Sequence, residues 1–289
     1  MRKRLGVVCA ALAATVLASC GGGSKATPLE LVRGASTETS AAKTARLHMA
    51  IETGVAGAPK VEFDGGFNFA EQRARFTLDA ASMGIPGATG NIDAVMDFAG
   101  TPVQYMRIPG LAEELDGKHW MKVDLGATVR QVCPDIDLEA LLSSNSGDPT
   151  SGLQTLKGAT KVTTVGEEKV RGEDTTHYRV TVDVRRAADN APESAREAMR
   201  KLAAMYTVPT QDLEVWLDGD GRVRRFDQTV DNSTLVLPDC LKTASPGGAP
   251  LQGNTHVFYE MFDYGTEVNV KLPAPSDVAD LQELMKQNS

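Results

Sequence analysis

The sequence predicts an α+β protein in which one curved antiparallel sheet carries a few helices on its concave side. Three observations predict it. Apolar and polar residues alternate with period 2 through most of the chain, the mark of strands with one dry and one wet face. Roughly ten such stretches follow one another, more than a flat open sheet carries without curling. The helix-like stretches are too few to cover both faces, so they are expected on the concave one. No linker interrupts 28–289, which is read as a single domain.

The alternation is clearest from His177 to Phe226. Tyr178, Val180, Val182 and Val184 face one way; His177, Arg179, Thr181 and Asp183 face the other. An insert follows, with Asn190 and Glu193 at capping-box spacing, Pro192 in the first turn, and an apolar stripe of Ala195, Met199, Leu202 and Met205. Leu213–Leu217 then forms a hairpin with Arg222–Phe226 through Asp218-Gly219-Asp220-Gly221.

Upstream, 28–45 reads as a helix with Leu29, Val32 and Ala35 on one side, and Leu47–Ile51 as the first strand. Val61, Phe63, Phe67 and Phe69 share a face, and Gly65-Gly66 between them predicts a bend or bulge. Phe76 with Leu78, then Ile92, Ala94, Met96 and Phe98, continue the pattern, followed by strands over 103–108 and 118–123. Two connecting loops, 81–88 and 108–111, are unusually apolar; they fit either a pocket rim or connectors tucked onto the core. Residues 135–142 read as a short helix, and 153–156 as a further turn or two. Strands resume at 161–165. After 228–237 comes a Pro/Gly-rich loop over 238–253, then strands at 256–262 and 267–272, and a terminal helix capped by Ser276 with Val278, Leu281 and Leu284.

Net charge is −8, which disfavours a nucleic-acid partner. Residues 1–19 read as a leader: Arg2, Lys3 and Arg4 precede an apolar run from Leu5 to Val16 that is short for a membrane span. Leu17-Ala18-Ser19-Cys20 resembles the lipobox of bacterial lipoproteins. That resemblance implies a diacylglyceryl group on the Cys20 sulfur and cleavage before it; a plain secretory signal is the alternative. Two or three acyl chains, at about 0.8 kcal/mol per buried methylene, anchor a chain stably. Residues 20–27 would then be a flexible tether. The expected location is the extracytoplasmic face of the cell membrane. There, Cys133 and Cys240 most simply form one disulfide, with two separate thiols as the alternative.

Catalytic signals are absent. His48, His119, His177 and His256 are scattered, and there is no His-Glu-x-x-His, nucleophile elbow or phosphate-binding glycine loop. Asp218 and Asp220 lack the further oxygen ligands a calcium loop needs, and no Cys-x-x-Cys spacing suggests zinc. No cofactor, no metal and no enzyme activity are expected. Arg222, Arg224 and Arg225 are read as a solvated face, with lipid-headgroup contact as the alternative.

Several stretches together resemble bacterial LolA-like lipoproteins of the LppX/LprG type. They are the lipobox, Gly117–Leu125, Val170-Arg171-Gly172 with Thr176-His177-Tyr178, Val215–Asp218 with Gly221–Arg225, and Phe262–Gly265 with Val268 and Val270 before Pro273. The resemblance implies a half-barrel around an apolar cavity and carriage of lipids, glycolipids or acylated molecules in the envelope. Candidate lining residues, read from the strand pattern, are Phe63, Phe67, Phe69, Phe76, Leu78, Met96, Phe98, Val180, Val182 and Val215. A filled core, with the lipoprotein acting as scaffold or sensor for a protein partner, is the alternative. A monomer is expected.

Overall fold

The computed structural model describes residues 26–54, 59–83, 89–133, 149–236, 239–240 and 253–287. The expected leader, Cys20, most of the tether, the helix over 135–142, residues 84–88 of the first apolar loop and most of the 238–253 loop lie outside these residues.

Helix α1 (Pro28–Ala41) opens the fold. Thr27 and Glu30 form a capping box, each accepting a hydrogen bond from the other's backbone N–H. Six strands follow: β1 (Thr44–Thr53), β2 (Val61–Asn68), β3 (Arg73–Asp79), β4 (Asn91–Asp97), β5 (Val103–Arg107) and β6 (Trp120–Asp124). Helices α2 (Leu125–Val132) and α3 (Pro149–Thr155) lead to β7 (Ala159–Val170) and β8 (Glu173–Asp183). Helices α4 (Val184–Asp189) and α5 (Glu193–Ala204) precede β9 (Thr210–Asp218), β10 (Val223–Asp231) and β11 (Asn254–Phe262). The chain finishes with β12 (Val278–Asp280) and α6 (Leu281–Gln287).

All twelve strands form one open sheet in the order β12-β6-β5-β4-β3-β2-β1-β11-β10-β9-β8-β7. Every pair is antiparallel except β12 with β6. Two observations establish the curl. Inward residues of β1–β4 and β7–β11 join those of α1 and α3 in a single apolar cluster. Cys133, after β6, and Cys240, after β10, form a disulfide with Cα atoms 5.5 Å apart. Seven strand spacings, roughly 34 Å along a flat sheet, separate β6 from β10. The sheet therefore bends round, and the helices sit on its concave side.

The glycine pair in β2 keeps regular register with both neighbouring strands and admits close contacts on both faces. A side chain at Gly65 would strike the backbone of Arg75 on β3. One at Gly66 would lie 2.9 Å from Val268, on the opposite, convex face. Residues 265–277 are a strap over that face. Val268 seats on Gly66, Asn68 Nδ2 donates to the Val268 carbonyl at 3.4 Å, and Asp277 accepts from the His119 backbone N–H at 2.9 Å. The strap explains why Val95 is buried although it faces outward beside Arg75 and Tyr105, and why Val270 is buried too. Gly66→Val forces the strap off its seat and is expected to cost about 1–3 kcal/mol. Urea unfolding checks this, with Gly166→Ala, where a side chain meets open space, as the unchanged control.

Several expected boundaries move. The 267–272 segment is this strap and not a strand. Val278 belongs to β12, so the terminal helix starts at Leu281, where Asp280 Oδ1 accepts the Gln282 N–H at 3.0 Å. Ser276 therefore does not cap it. Asn190 does not start the insert either. Asp183 caps α4 through the N–H groups of Arg185 and Arg186, Asn190 ends that helix, and α5 begins at Glu193 behind Pro192. A carboxylate next to the strand end satisfies the first free N–H groups sooner than Asn190 does.

Candidate functional site

The concave face is built by strand register. Across β1, β2, β3 and β4, Ala45 pairs with Phe67, Phe67 with Ala74, and Ala74 with Met96. One step along, Met49 pairs with Phe63, while Phe76 joins Gly65 and Ala94. Aromatic rings then meet across strands. Phe63 stands edge-on to Phe76 at 6.2 Å, and Phe67 lies 4.9 Å from Phe69 and 5.8 Å from Phe98. On the other flank, Val180 of β8 lies opposite Leu213 of β9, and Val215 opposite Tyr178 and Phe226. Phe226 stacks on Tyr259 at 4.7 Å.

All ten candidate lining residues fall on this face, in two groups. Val180, Val182 and Val215 have no exposed surface and lie on the flank where α1, α3 and α4 pack. Phe67, Phe76, Leu78 and Met96 are buried on the β2–β4 flank, while Phe63, Phe69 and Phe98 are only partly buried. Ile51, Val61, Met106 and Ile108 are partly buried beside them. One flank is thus packed solid, and the other carries partly covered side chains toward the two ends of its strands, with buried Phe67, Phe76 and Met96 between them.

Polar atoms interrupt the face in places the alternation does not announce. Gln211 of β9 and Gln228 of β10 both point inward, and the Gln228 amide donates to Gln211 Oε1 at 2.5 Å. Gln211 Nε2, Ser36 Oγ of α1 and Gln154 Oε1 of α3 are buried without a hydrogen-bond partner. The signal in the sequence is a glutamine at an inward position of an otherwise apolar strand.

The convex face is a layer of ion pairs and rings. Glu260 accepts from Arg171 Nε at 2.7 Å and from Arg225 Nη2 at 2.6 Å. Burial is the largest influence on Glu260 and raises its carboxyl, but hydrogen bonds from Arg225 and Arg171 with their charge outweigh it, so the net shift is downward. His177 stacks on Trp216 at 3.9 Å and is hydrogen-bonded to Glu168 and Glu214 at 3.0 and 3.1 Å. The Trp216 indole N–H donates to Glu168, and this bond is the largest of those holding the Glu168 carboxyl below its usual range. Every histidine faces a carboxylate: the others are His48–Asp64, His119–Asp277 and His256–Asp227. Arg222 and Arg224 are not a solvated face. Both bind Asp218 and lie 5.0 and 4.8 Å from the Tyr264 ring centre, because a buried carboxylate demands paired donors.

Open surface pockets are lined by described residues at two places, among others. One, of about 200 Å³, lies on the convex face among Arg46, Asp64, Arg75 and Val268. The other, of about 320 Å³, lies between α2 and α6 at Gln131 and Met285. Among the described residues no cluster of histidine, cysteine or carboxylate side chains has the makings of a metal site. Among them, too, no helix is long and apolar enough to cross a membrane.

No family model matches the chain. Among curated proteins, an uncharacterized 31.2 kDa protein of Streptomyces griseus, from the rplA–rplJ intergenic region, is 30% identical over 186 residues, 61% of this chain and 53% of that protein. The chain spans about half the length of this relative. Similar solved structures include the lipoprotein LppX of Mycobacterium tuberculosis, with 13% identity, a TM-score of 0.47, and coverage of 84% of this chain and 98% of that one. LprF of Mycobacterium bovis gives 10%, 0.47, 86% and 97%. A LolA-superfamily protein of Nitrosomonas europaea gives 8%, 0.28, 86% and 96%.

Proposed function

We propose that the protein is a non-enzymatic envelope lipoprotein, anchored through acylated Cys20, that binds a lipid or acylated molecule on its concave apolar face for carriage in the envelope. The observation that carries this reading is the group of partly covered apolar side chains Ile51, Val61, Phe63, Met106 and Ile108 at one end of the β1–β5 flank. Each methylene moved from water onto such a surface gains about 0.8 kcal/mol. Transfer from a bilayer gains far less, so loading and release both run near balance. The solid packing of Val180, Val182, Val215 and Phe226 favours a second reading, a filled-core scaffold for a protein partner.

Mass spectrometry of an organic extract of the purified protein separates the two. Stoichiometric lipid is expected. Phe63→Asp places a charge on the half-covered flank and is expected to reduce co-purifying lipid at least tenfold while the protein still folds. A clean extract from the unaltered protein would sink the carrier reading and leave the scaffold.

A further inference from the structure

We infer that the end of the sheet carrying the start of α1 docks onto an anionic lipid surface. The inference takes its orientation from the anchored reading above. Large apolar side chains are exposed at few described positions: Leu31, Val165, Val208, Val236 and Met285. Three of these, Leu31, Val208 and Val236, lie at one end of the molecule. Leu31 is in the first turn of α1, and Arg33, two residues on, holds the carbonyl of Ala159, the first residue of β7. Ala159 pairs with Val182 at the end of β8, and the Val184 N–H donates to the Pro209 carbonyl beside Val208. Tyr206 bridges to Leu235, which places Val236 next to the same connection.

Cationic groups stand at this end. Arg185 and Arg186 on α4 are exposed, and neither forms an ion pair among the described residues. The neighbouring carboxylates are mostly engaged. Asp183 caps α4, Asp189 pairs with Arg200, Glu197 with Lys201, Glu30 belongs to the α1 capping box, Asp212 accepts from the Thr181 hydroxyl and Asp231 from the Ser233 N–H; Glu193 remains. In a chain of net charge −8, the segment 183–201 holds five cations against four carboxylates. Beyond about 8 Å at physiological salt the remaining charge is screened, so the local surface decides.

The length of chain ahead of α1 chooses the occupant. Seven residues join Cys20 to Thr27 and reach at most about 25 Å. A chain acylated at Cys20 therefore keeps the start of α1, with Arg185, Arg186, Val208 and Val236, within reach of the bilayer. Apolar tips flanked by arginines fit a headgroup layer.

The test uses the mature chain, residues 20–289 without the 1–19 leader, carrying Cys20→Ser, so that neither leader nor anchor contributes. It is sedimented with phosphatidylglycerol or phosphatidylcholine vesicles. Binding to phosphatidylglycerol alone is expected. Arg185→Gln with Arg186→Gln should weaken it about tenfold or more. Val208→Asp with Val236→Asp should weaken it as strongly, with the circular dichroism spectrum unchanged. Hydrogen exchange of 184–189, 205–209 and 232–236 should slow on the anionic vesicles. Absence of binding, equal binding to both vesicles, or binding indifferent to all four substitutions overturns the inference, the last pointing to a protein partner for this end. Lipid extraction reads independently: a chain that carries lipid but ignores vesicles loses only the docking surface, and one that binds vesicles but yields a clean extract loses only the carrier reading.

Discussion

Asp218→Ala is expected to destabilise the protein by about 3–5 kcal/mol, or roughly 10 °C in the thermal midpoint. The carboxylate is almost wholly buried in the β9–β10 turn. Its Oδ1 accepts the backbone N–H groups of Asp220 and Arg222 at 3.1 and 3.0 Å. Its Oδ2 accepts Nε of Arg222 at 2.9 Å and of Arg224 at 2.8 Å. Arg224 is itself buried, so removing the acid strands a guanidinium away from water. The damage extends past the turn. Tyr264, which donates to the Val223 carbonyl, lies against both arginines, and the Val223 N–H donates to Thr39 of α1 at 3.0 Å. Truncation of Asp218 thus loosens the joint between hairpin, helix and strap, and thermal unfolding of the variant checks it.

The same carboxylate sets an acid limit. Burial is the largest influence on Asp218 and raises it, but hydrogen bonds from Arg224 and Arg222 and the charge of Arg222 together bring it below its usual value. A carboxyl held low in the folded state stabilises the protein above its unfolded pKa, near 3.9, and loses that contribution as pH falls through the folded value. Glu260 behaves alike, with an unfolded reference near 4.3. Stability from both is complete at pH 7 and drains away below about pH 4. Urea titrations at pH 7 and pH 3 should show a smaller acid loss in Asp218→Asn than in the unaltered protein.

Replacing Cys133 and Cys240 by serine is the second large effect, about 4–5 kcal/mol in the chain-entropy model. The bridge spans 107 positions, so an unfolded chain without it regains much freedom. It also joins segments that follow β6 and β10, on opposite flanks of the concave face. The double variant should unfold at a lower urea midpoint, and reductant should move the unaltered protein to the same value while leaving the variant where it was.

Much of this fold was legible because one face of the sheet is dry. The inward set on β2, β3, β4, β8 and β9 follows directly from alternation, whereas Gly65-Gly66, read as a bend or bulge, sits in regular register and makes room for the Arg75 backbone and Val268. The strap was misread for a physical reason. Val268 and Val270 alternate with polar neighbours because one side of the strap lies down on the sheet, which imitates a strand. β12 is three residues long and pairs in parallel with β6, a contact no local pattern encodes. His177 is read on the wet face, where it belongs, yet it is buried, because Trp216 stacks on it and Glu168 and Glu214 close over it. In the candidate site, alternation identified the residues of the face but could not say which were covered. That depends on where α1, α3 and α4 settle, and Val180 and Phe63 look alike in sequence.

The strand order has a consequence for synthesis. As the chain emerges N-terminus first, β1 to β6 can zip up as successive neighbours. The second edge of β1 then waits for β11, about two hundred positions later, and the second edge of β6 for β12. Both seams are sewn by the final few dozen residues, so a ribosome or export channel that stalls just short of them leaves two raw edges open to any other strand in reach.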